Sequence, residues 1–533
     1  MARITERRCR LNWKYGRRGA GAVLLAALAI AATDAAEPRP VLYGATEQVR
    51  AVAVTPNGAV WAATAGGVVC WRSAAETPRG WTTADGLPGD DVRTIRAGAD
   101  GSVTAVSSAG AAAITADGAV TPCVAPPLTR GETIAAASAG RDTLMATAAG
   151  LSWHEDGGKP VPVPLPQTEA SHVSALAAWG GAHRRFAVGL YGGGVYRLTL
   201  GTRGTADWAR LSLPSPCDHP TALASAANNS LVIGTREGGV YVLTGDRAQK
   251  CALPPNAVPS ADIYALATYR ARLYAATFDS GVLCLSDNGV PSVNLPHTSL
   301  RALATANDRL YALTADHRVL AFDGETWQAA FPAGTLRRAE VYSIAAYRNG
   351  TALLIGGWGG WARWDGITCQ QHWNTAALAG EGITAIADGG GAVWLGTQRR
   401  GLFRAEGDSV RAFQEAAGIT DDWITALAVS SRNRLLVGTY SGGLFEQIAD
   451  GTCGRFVPRF RAANWAIRAI AFRGETALAA TPAGLFREAQ TTATGYWTRC
   501  DSRTTGGSEA QAVLPAAGGA WVGTRTGLAF MRW

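Results

Sequence analysis

The sequence predicts an all-β chain, and three observations carry that prediction. A hairpin of two short apolar strands around a polar turn recurs twelve times. A strand of small residues around a branched one precedes most copies. No stretch shows the 3.6-residue apolar period of an amphipathic helix. The ninth copy is the clearest: Ile383–Asp388, then Val393–Leu395, a turn bracketed by Gly396 and Gly401, then Leu402–Phe403. Turns fall near Thr64, Ser108, Thr147, Leu190, Thr235, Thr277, Thr314, Gly357, Thr397, Thr439, Thr481 and Thr524. Their mean spacing of about 42 residues is the length of a four-stranded blade. The expected fold is a β-propeller of about twelve such blades. One ring of twelve exceeds the ~4–8 blades usual for propellers. Two rings of about six are therefore expected, over 37–290 and 291–533, splitting near Asp287–His297. One large ring is the alternative.

Residues 1–36 read as an export signal. A basic start (Arg3, Arg7, Arg8, Arg10, Lys14, Arg17, Arg18) precedes an apolar run from Gly19 to Ala32. That run is shorter than the ~20 residues a membrane span needs. Cleavage is expected between Ala32 and Glu37. The alternative is an uncleaved anchor. Arg17–Arg18 hints at twin-arginine export, but the hydrophobic residues that should follow the pair are missing. No later stretch looks transmembrane.

Strand A of each unit is apolar on both faces, as in Ala265–Leu266–Ala267, Ala385–Ile386–Ala387 and Ala426–Leu427–Ala428. Such a strand is buried on both faces, and alanine lets neighbours approach closely near a tapering axis. Strands B and C form the hairpin. Strand D carries an aromatic residue: Trp81, Trp208, Trp327, Trp373, Phe413 or Trp497. The last copy ends after strand C, and Val41–Tyr43 precedes the first strand A. That N-terminal segment is expected to pair beside Val522–Phe530 and so close an open edge.

The repeats resemble two-component-regulator propeller repeats, which occur in periplasmic sensor regions of bacterial hybrid kinases and in stand-alone exported proteins. The residues that carry the resemblance are Asp85–Gly86–Leu87–Pro88–Gly89–Asp90–Asp91–Val92 and Gly391 to Thr397 through Gly401–Leu402–Phe403–Arg404. Trp521–Val522–Gly523–Thr524 with Gly527–Leu528 is similar. The resemblance implies a propeller with an extracytoplasmic sensing or binding role. It brings no catalytic residue, and no kinase or DNA-binding segment follows the repeats.

Charge argues against nucleic acid. Of the formal net charge of +8, the first 36 residues hold +5, which leaves +3 for the repeats. The seven histidines (His154, His172, His183, His219, His297, His317, His372) lie singly, without metal-ligand spacing. There is no nucleophile elbow, and the glycine clusters sit where hairpin turns are due. No cofactor or metal is expected. Eight cysteines follow the leader, with no Cys-x-x-Cys pair. Their even number fits an oxidising compartment, and Cys217–Cys251 and Cys453–Cys500 are the expected disulfides; buried free thiols are the alternative.

A propeller's D–A loops and B–C turns emerge on one face. Here they offer Trp358, Trp361, Gln398, Arg399, Arg400, Asp421, Asp422, Trp423, Tyr440, Asn464 and Trp465, with Ser441, on consecutive blades. Aromatic faces stack on a ligand's apolar faces, while Asp, Asn and Arg orient it. Arg399 and Arg400 suit an anionic group. The expected function is an exported, non-catalytic, sensor-like propeller, periplasmic or secreted, that binds a protein or carbohydrate. A polysaccharide-acting lyase or glycosidase and an envelope scaffold are the alternatives.

Overall fold

The computed structural model describes residues 41–533 except 74–75, 125–132, 156–157, 167–171, 181–183, 202–204, 286–290, 296–297, 337–339, 374, 408, 414–417, 449–454, 461–465, 490–496 and 501–508. The expected export signal and its cleavage site lie outside the described residues. Among those residues the chain forms twelve antiparallel four-stranded sheets, the blades of a β-propeller fold. Eleven run A-B-C-D in chain order, over 49–81, 92–123, 133–163, 173–210, 220–250, 263–295, 300–329, 341–373, 383–413, 424–460 and 469–499. The twelfth is made of Ala510–Ala516, Gly519–Thr524 and Gly527–Arg532, with Val41–Gly44 as its outer strand. Val41, Leu42 and Tyr43 pair with Phe530, Ala529 and Leu528, so the expected terminal closure is present.

The repeated Thr of the B–C turn has a physical reason. In the ninth sheet the Thr397 hydroxyl donates to the Gly401 carbonyl (2.9 Å) and accepts from the Arg400 amide (3.0 Å). It is fully buried. Thr235 and Thr277 repeat both bonds, and Thr439 repeats the one to the carbonyl. The preceding glycine has another reason. A Cβ on Gly396 would stand 2.5 Å from Ile424, the first residue of the next sheet's strand A. Only a glycine lets that branched side chain seat itself, and burying it contributes about 1.5–3 kcal/mol.

Neighbouring sheets are clasped by hydroxyls on strand A. Thr384 donates to the Ile424 carbonyl and Thr425 to that of Ile467, both at 2.6 Å. The same clasp joins the fifth sheet to the first: Thr221 donates to the Val49 carbonyl at 2.8 Å. A Cβ on Gly234 would meet Val49 at 2.6 Å, as Gly396 meets Ile424. The Gly239 amide donates to Glu47 O as Gly401 donates to Asp422 O. The first sheet therefore sits against the fifth as any sheet sits against its successor. Strand A of the sixth sheet lies against those of the seventh and the twelfth, and the seventh to twelfth follow one another. A buried apolar cluster of Leu273, Leu285 and Leu528 joins the twelfth sheet to the sixth.

The six-plus-six boundary at 290/291 falls inside the sixth sheet, because Pro291–Leu295 pairs with Val282–Leu285. We propose instead that the chain divides after the fifth sheet, into arrays of five and seven. Among the described residues, contacts between the arrays include the Gln48 side chain donating to Asp279 (3.3 Å) and Ala65 packing with Val258 and Ile263, and the segment that leads into the sixth sheet is tied to the N-terminal strand. The Val258 amide donates to Gly44 O (2.9 Å), and the Asn256 side chain donates to Leu42 O (2.5 Å). The five-sheet array has a seam. Among the described residues, buried apolar clusters join the first sheet to the second and the third to the fourth, but none joins the second to the third. Val124 and Ile134, which flank that junction, are 92% and 52% exposed.

The expected Cys217–Cys251 disulfide is absent, and both are free thiols. The fifth sheet stands between them. Cys217 packs in the seam with the fourth sheet and Cys251 in the seam with the first. Cys453 lies outside the described residues, and Cys500 is free.

Candidate functional site

Two positions per sheet build the face where D–A loops and B–C turns emerge. One is the residue just before strand A. The other follows the turn Thr or its equivalent, and its amide donates to the first one's carbonyl. Phe278 pairs this way with Asp262, Ala315 with Ser299, Trp358 with Glu340, Tyr440 with Trp423 and Arg525 with Glu509. These short-range bonds fix where the side chains of the rim start.

The aromatic part of the rim lies over the eighth to tenth sheets. Trp423 and Tyr440 stack face to face, with centroids 4.2 Å apart and an interplanar angle of 13°. Tyr440 is 52% exposed, so the pair offers an open ring face. Asp421 holds the turn beneath. Its carboxylate accepts from the amides of Ser441 (2.5 Å), Gly442 (3.0 Å) and Trp423 (3.0 Å), and from the Ser441 hydroxyl. Burial works against this charge, but these donors outweigh it and hold the pKa below the ordinary value. Asp421 is thus committed to structure, as is Ser441.

Asp422 and the Gln398–Arg400 turn remain exposed beside the stack. The Asp422 carboxylate lies over Gly401, within 3.2 Å of where a Cβ would stand. Arg399 donates to Gly380 O (2.7 Å) and stands 3.5 Å from the buried Glu381 carboxylate. Arg400 lies over the Phe403 ring at 5.9 Å and forms no ion pair among the described residues. Trp358 extends the rim toward the seventh sheet: Tyr342, on its own sheet, lies 6.1 Å from it, and His317 of the seventh sheet packs on Tyr342 at 4.6 Å.

The structure brings together Trp358, Gln398, Arg399, Arg400, Asp421, Asp422, Trp423 and Tyr440 on one face of consecutive sheets. It removes Trp361 from that group. Trp361 is on strand C, buried, and stacked on His372 at 4.3 Å. One residue of strand beyond the turn directs it into the seam between the eighth and ninth sheets. Asn464 and Trp465 lie outside the described residues.

Sequence reasoning missed the charged side of the same rim. Arg525 stands 3.4 Å from Glu509 and 3.9 Å from Asp262, and Arg468 pairs with Glu509 at 2.7 Å. Burial raises the Asp262 pKa, against a hydrogen bond from Gln511 and the charge of Arg525. Across from them the first array contributes Arg50, Asp91 and Arg93, with Asp91 3.5 Å from each arginine. Arg50, Asp91, Arg93, Asp262, Glu509 and Arg525 line one cleft of about 510 Å³. Reading the same two rim positions through every repeat would have found Asp262, Phe278, Glu509 and Arg525.

No family model matches the chain, and no curated protein matches it. Solved structures do. It is similar in fold to PorZ. That protein is described as an essential bacterial surface component of the type-IX secretion system of Porphyromonas gingivalis. The likeness has a TM-score of 0.65 at 13% identity, over 93% of this chain and 87% of that one. The extracellular domain of a putative hybrid two-component system of B. thetaiotaomicron is similar at TM-score 0.45 and 14% identity, over 91% of this chain and 70% of that one. A second such domain from that organism gives 0.44 and 14%, over 91% and 68%. Among the described residues no helix is long and apolar enough to cross a membrane.

Proposed function

We propose that this chain is an exported, non-catalytic, sensor-like β-propeller that binds a protein or carbohydrate partner in the periplasm or outside the cell. The binding face is the rim over the eighth to tenth sheets. The observation that carries this reading is the Trp423–Tyr440 stack, open on one side and bordered by Arg400 and Asp422, which form no ion pair among the described residues. An aromatic platform with uncommitted charges at its edge suits a partner that has apolar patches between polar groups. The repeats' small net charge argues against nucleic acid.

The test changes Arg399, Arg400 and Asp422 to alanine together. Arg400 and Asp422 are exposed and unpaired among the described residues, while losing Arg399's contacts with Gly380 O and the buried Glu381 should lower melting slightly without unfolding the chain. Partner capture, by pull-down or on a glycan array, should fall at least tenfold. Retained capture would place the site elsewhere.

A further inference from the structure

A second pocket lies between the fourth and fifth sheets, away from the rim. It encloses about 310 Å³, the lower end of the range for small-ligand sites. Trp179, Leu211 and Leu243 supply apolar surface. Arg185 and Arg197 supply charge, and both are exposed. Backbone register puts these arginines on one face: Arg185 pairs with Thr199, and Ala187 with Arg197. They are diagonal neighbours on adjacent strands, a spacing at which like charges repel. Neither makes an ion pair or a side-chain hydrogen bond among the described residues.

The surroundings hold this arrangement in place. The Trp179 indole N–H donates to Asn229 O (2.7 Å), and its amide donates to Arg185 O (3.0 Å). Gly180 has φ +82°, and a Cβ there would stand 3.5 Å from the Arg185 guanidinium. The guanidinium thus lies over the glycine that follows Trp179 in the chain. Asp246 lines the same pocket and forms no ion pair among the described residues. Two arginines and one aspartate leave a formal charge of +1.

We infer that this pocket binds a small aromatic carboxylate. The indole and leucine surfaces suit a planar apolar ring. A guanidinium fork receives a carboxylate with two parallel hydrogen bonds. The net charge of +1 matches a monoanion. Such a ligand would relieve the repulsion between the two arginines.

Calorimetric titration of the full chain with 2-naphthoate tests this. Saturable one-to-one binding is expected. The neutral analogue 2-naphthalenemethanol should bind at least tenfold more weakly, since it lacks the charge-assisted pair. Acetate should bind weakly too, because it has no ring. Arg185→Gln with Arg197→Gln should weaken 2-naphthoate at least tenfold, and Trp179→Leu severalfold, with melting unchanged for the arginine pair. The rim triple variant should bind 2-naphthoate normally, which separates this site from the proposed rim. Equal binding of the neutral analogue, or full affinity in the arginine double variant, would overturn the inference. So would a loss of binding in the rim variant.

Discussion

Replacing Thr397 by valine keeps the side chain's shape and removes its hydroxyl. Two hydrogen bonds go with it, one to Gly401 O and one from the Arg400 amide. A neutral hydrogen bond is worth about 1 kcal/mol net, so the loss is about 2 kcal/mol. The added methyl returns about 0.8 kcal/mol by burial, since the site is fully buried. Gly401 O still accepts from the residue 397 amide (3.0 Å), so the damage concentrates on the Arg400 amide. A net cost of about 1 kcal/mol corresponds to roughly fivefold faster amide exchange where opening is local. Exchange at the 397–404 turn is the right assay, because a chain of many sheets need not unfold in two states. Thr397→Ser keeps both bonds and should leave Arg400 protected. If the valine variant protects Arg400 as well as wild type, or the serine variant exposes it equally, the reasoning about the turn fails.

Two further outcomes follow from burial. Burial pushes the Asp90 carboxyl up to about 7, even though it accepts from the Thr83 amide at 2.6 Å. An acid whose folded pKa lies above its unfolded value stabilises the fold below the unfolded pKa and loses that contribution as pH rises through the folded one. Melting should therefore favour Asp90→Asn over wild type by a margin that grows between about pH 4 and 7 and then levels off; a margin that does not change with pH refutes it. Burial also pushes the thiols of Cys217 and Cys251 up to about 12 and about 11, while Cys123 is exposed. Iodoacetamide at pH 8 should modify Cys123 well before either, and a Cys217–Cys251 cross-link in a non-reducing peptide map would contradict the structure.

Much of the fold was legible because each blade repeats the same local needs. The turn Thr, the glycine under the next sheet's branched residue and the outer aromatic recur at one spacing. The terminal closure was legible because strand C ends the last copy and Val41–Tyr43 stands spare. The contact of the fifth sheet with the first was not, since it rests on bonds such as Thr221 with Val49, which no linker composition announces. The cysteine spacing could not reveal that a sheet stands between Cys217 and Cys251. At the site, loop polarity pointed to Arg400, Asp422 and Tyr440. It misplaced Trp361, because alternate residues of a strand face opposite ways and one step decides between rim and core. Asp262, Glu509 and Arg525 escaped because their types vary around the rim while their positions do not.

The pairing of Val41–Gly44 with the last hairpin sets an order of events during synthesis. This strand is made before the first eleven sheets, and its partner Gly527–Arg532 is made after them. The first five sheets contain all their own strands and can form while the rest is still being made. Gly44 is held beside Val258, just ahead of the sixth sheet's first strand at Ile263. The waiting strand is then anchored, and the loop it must close shrinks from the whole chain to the part after Val258. Loop-closure entropy changes only slowly with length, so the larger gain is direction: the free edge is held where its partner will arrive. The first five sheets act as an internal assembly jig, and a lesion at the Thr221–Val49 clasp would delay the completion of a sheet whose last strand lies more than 300 residues away.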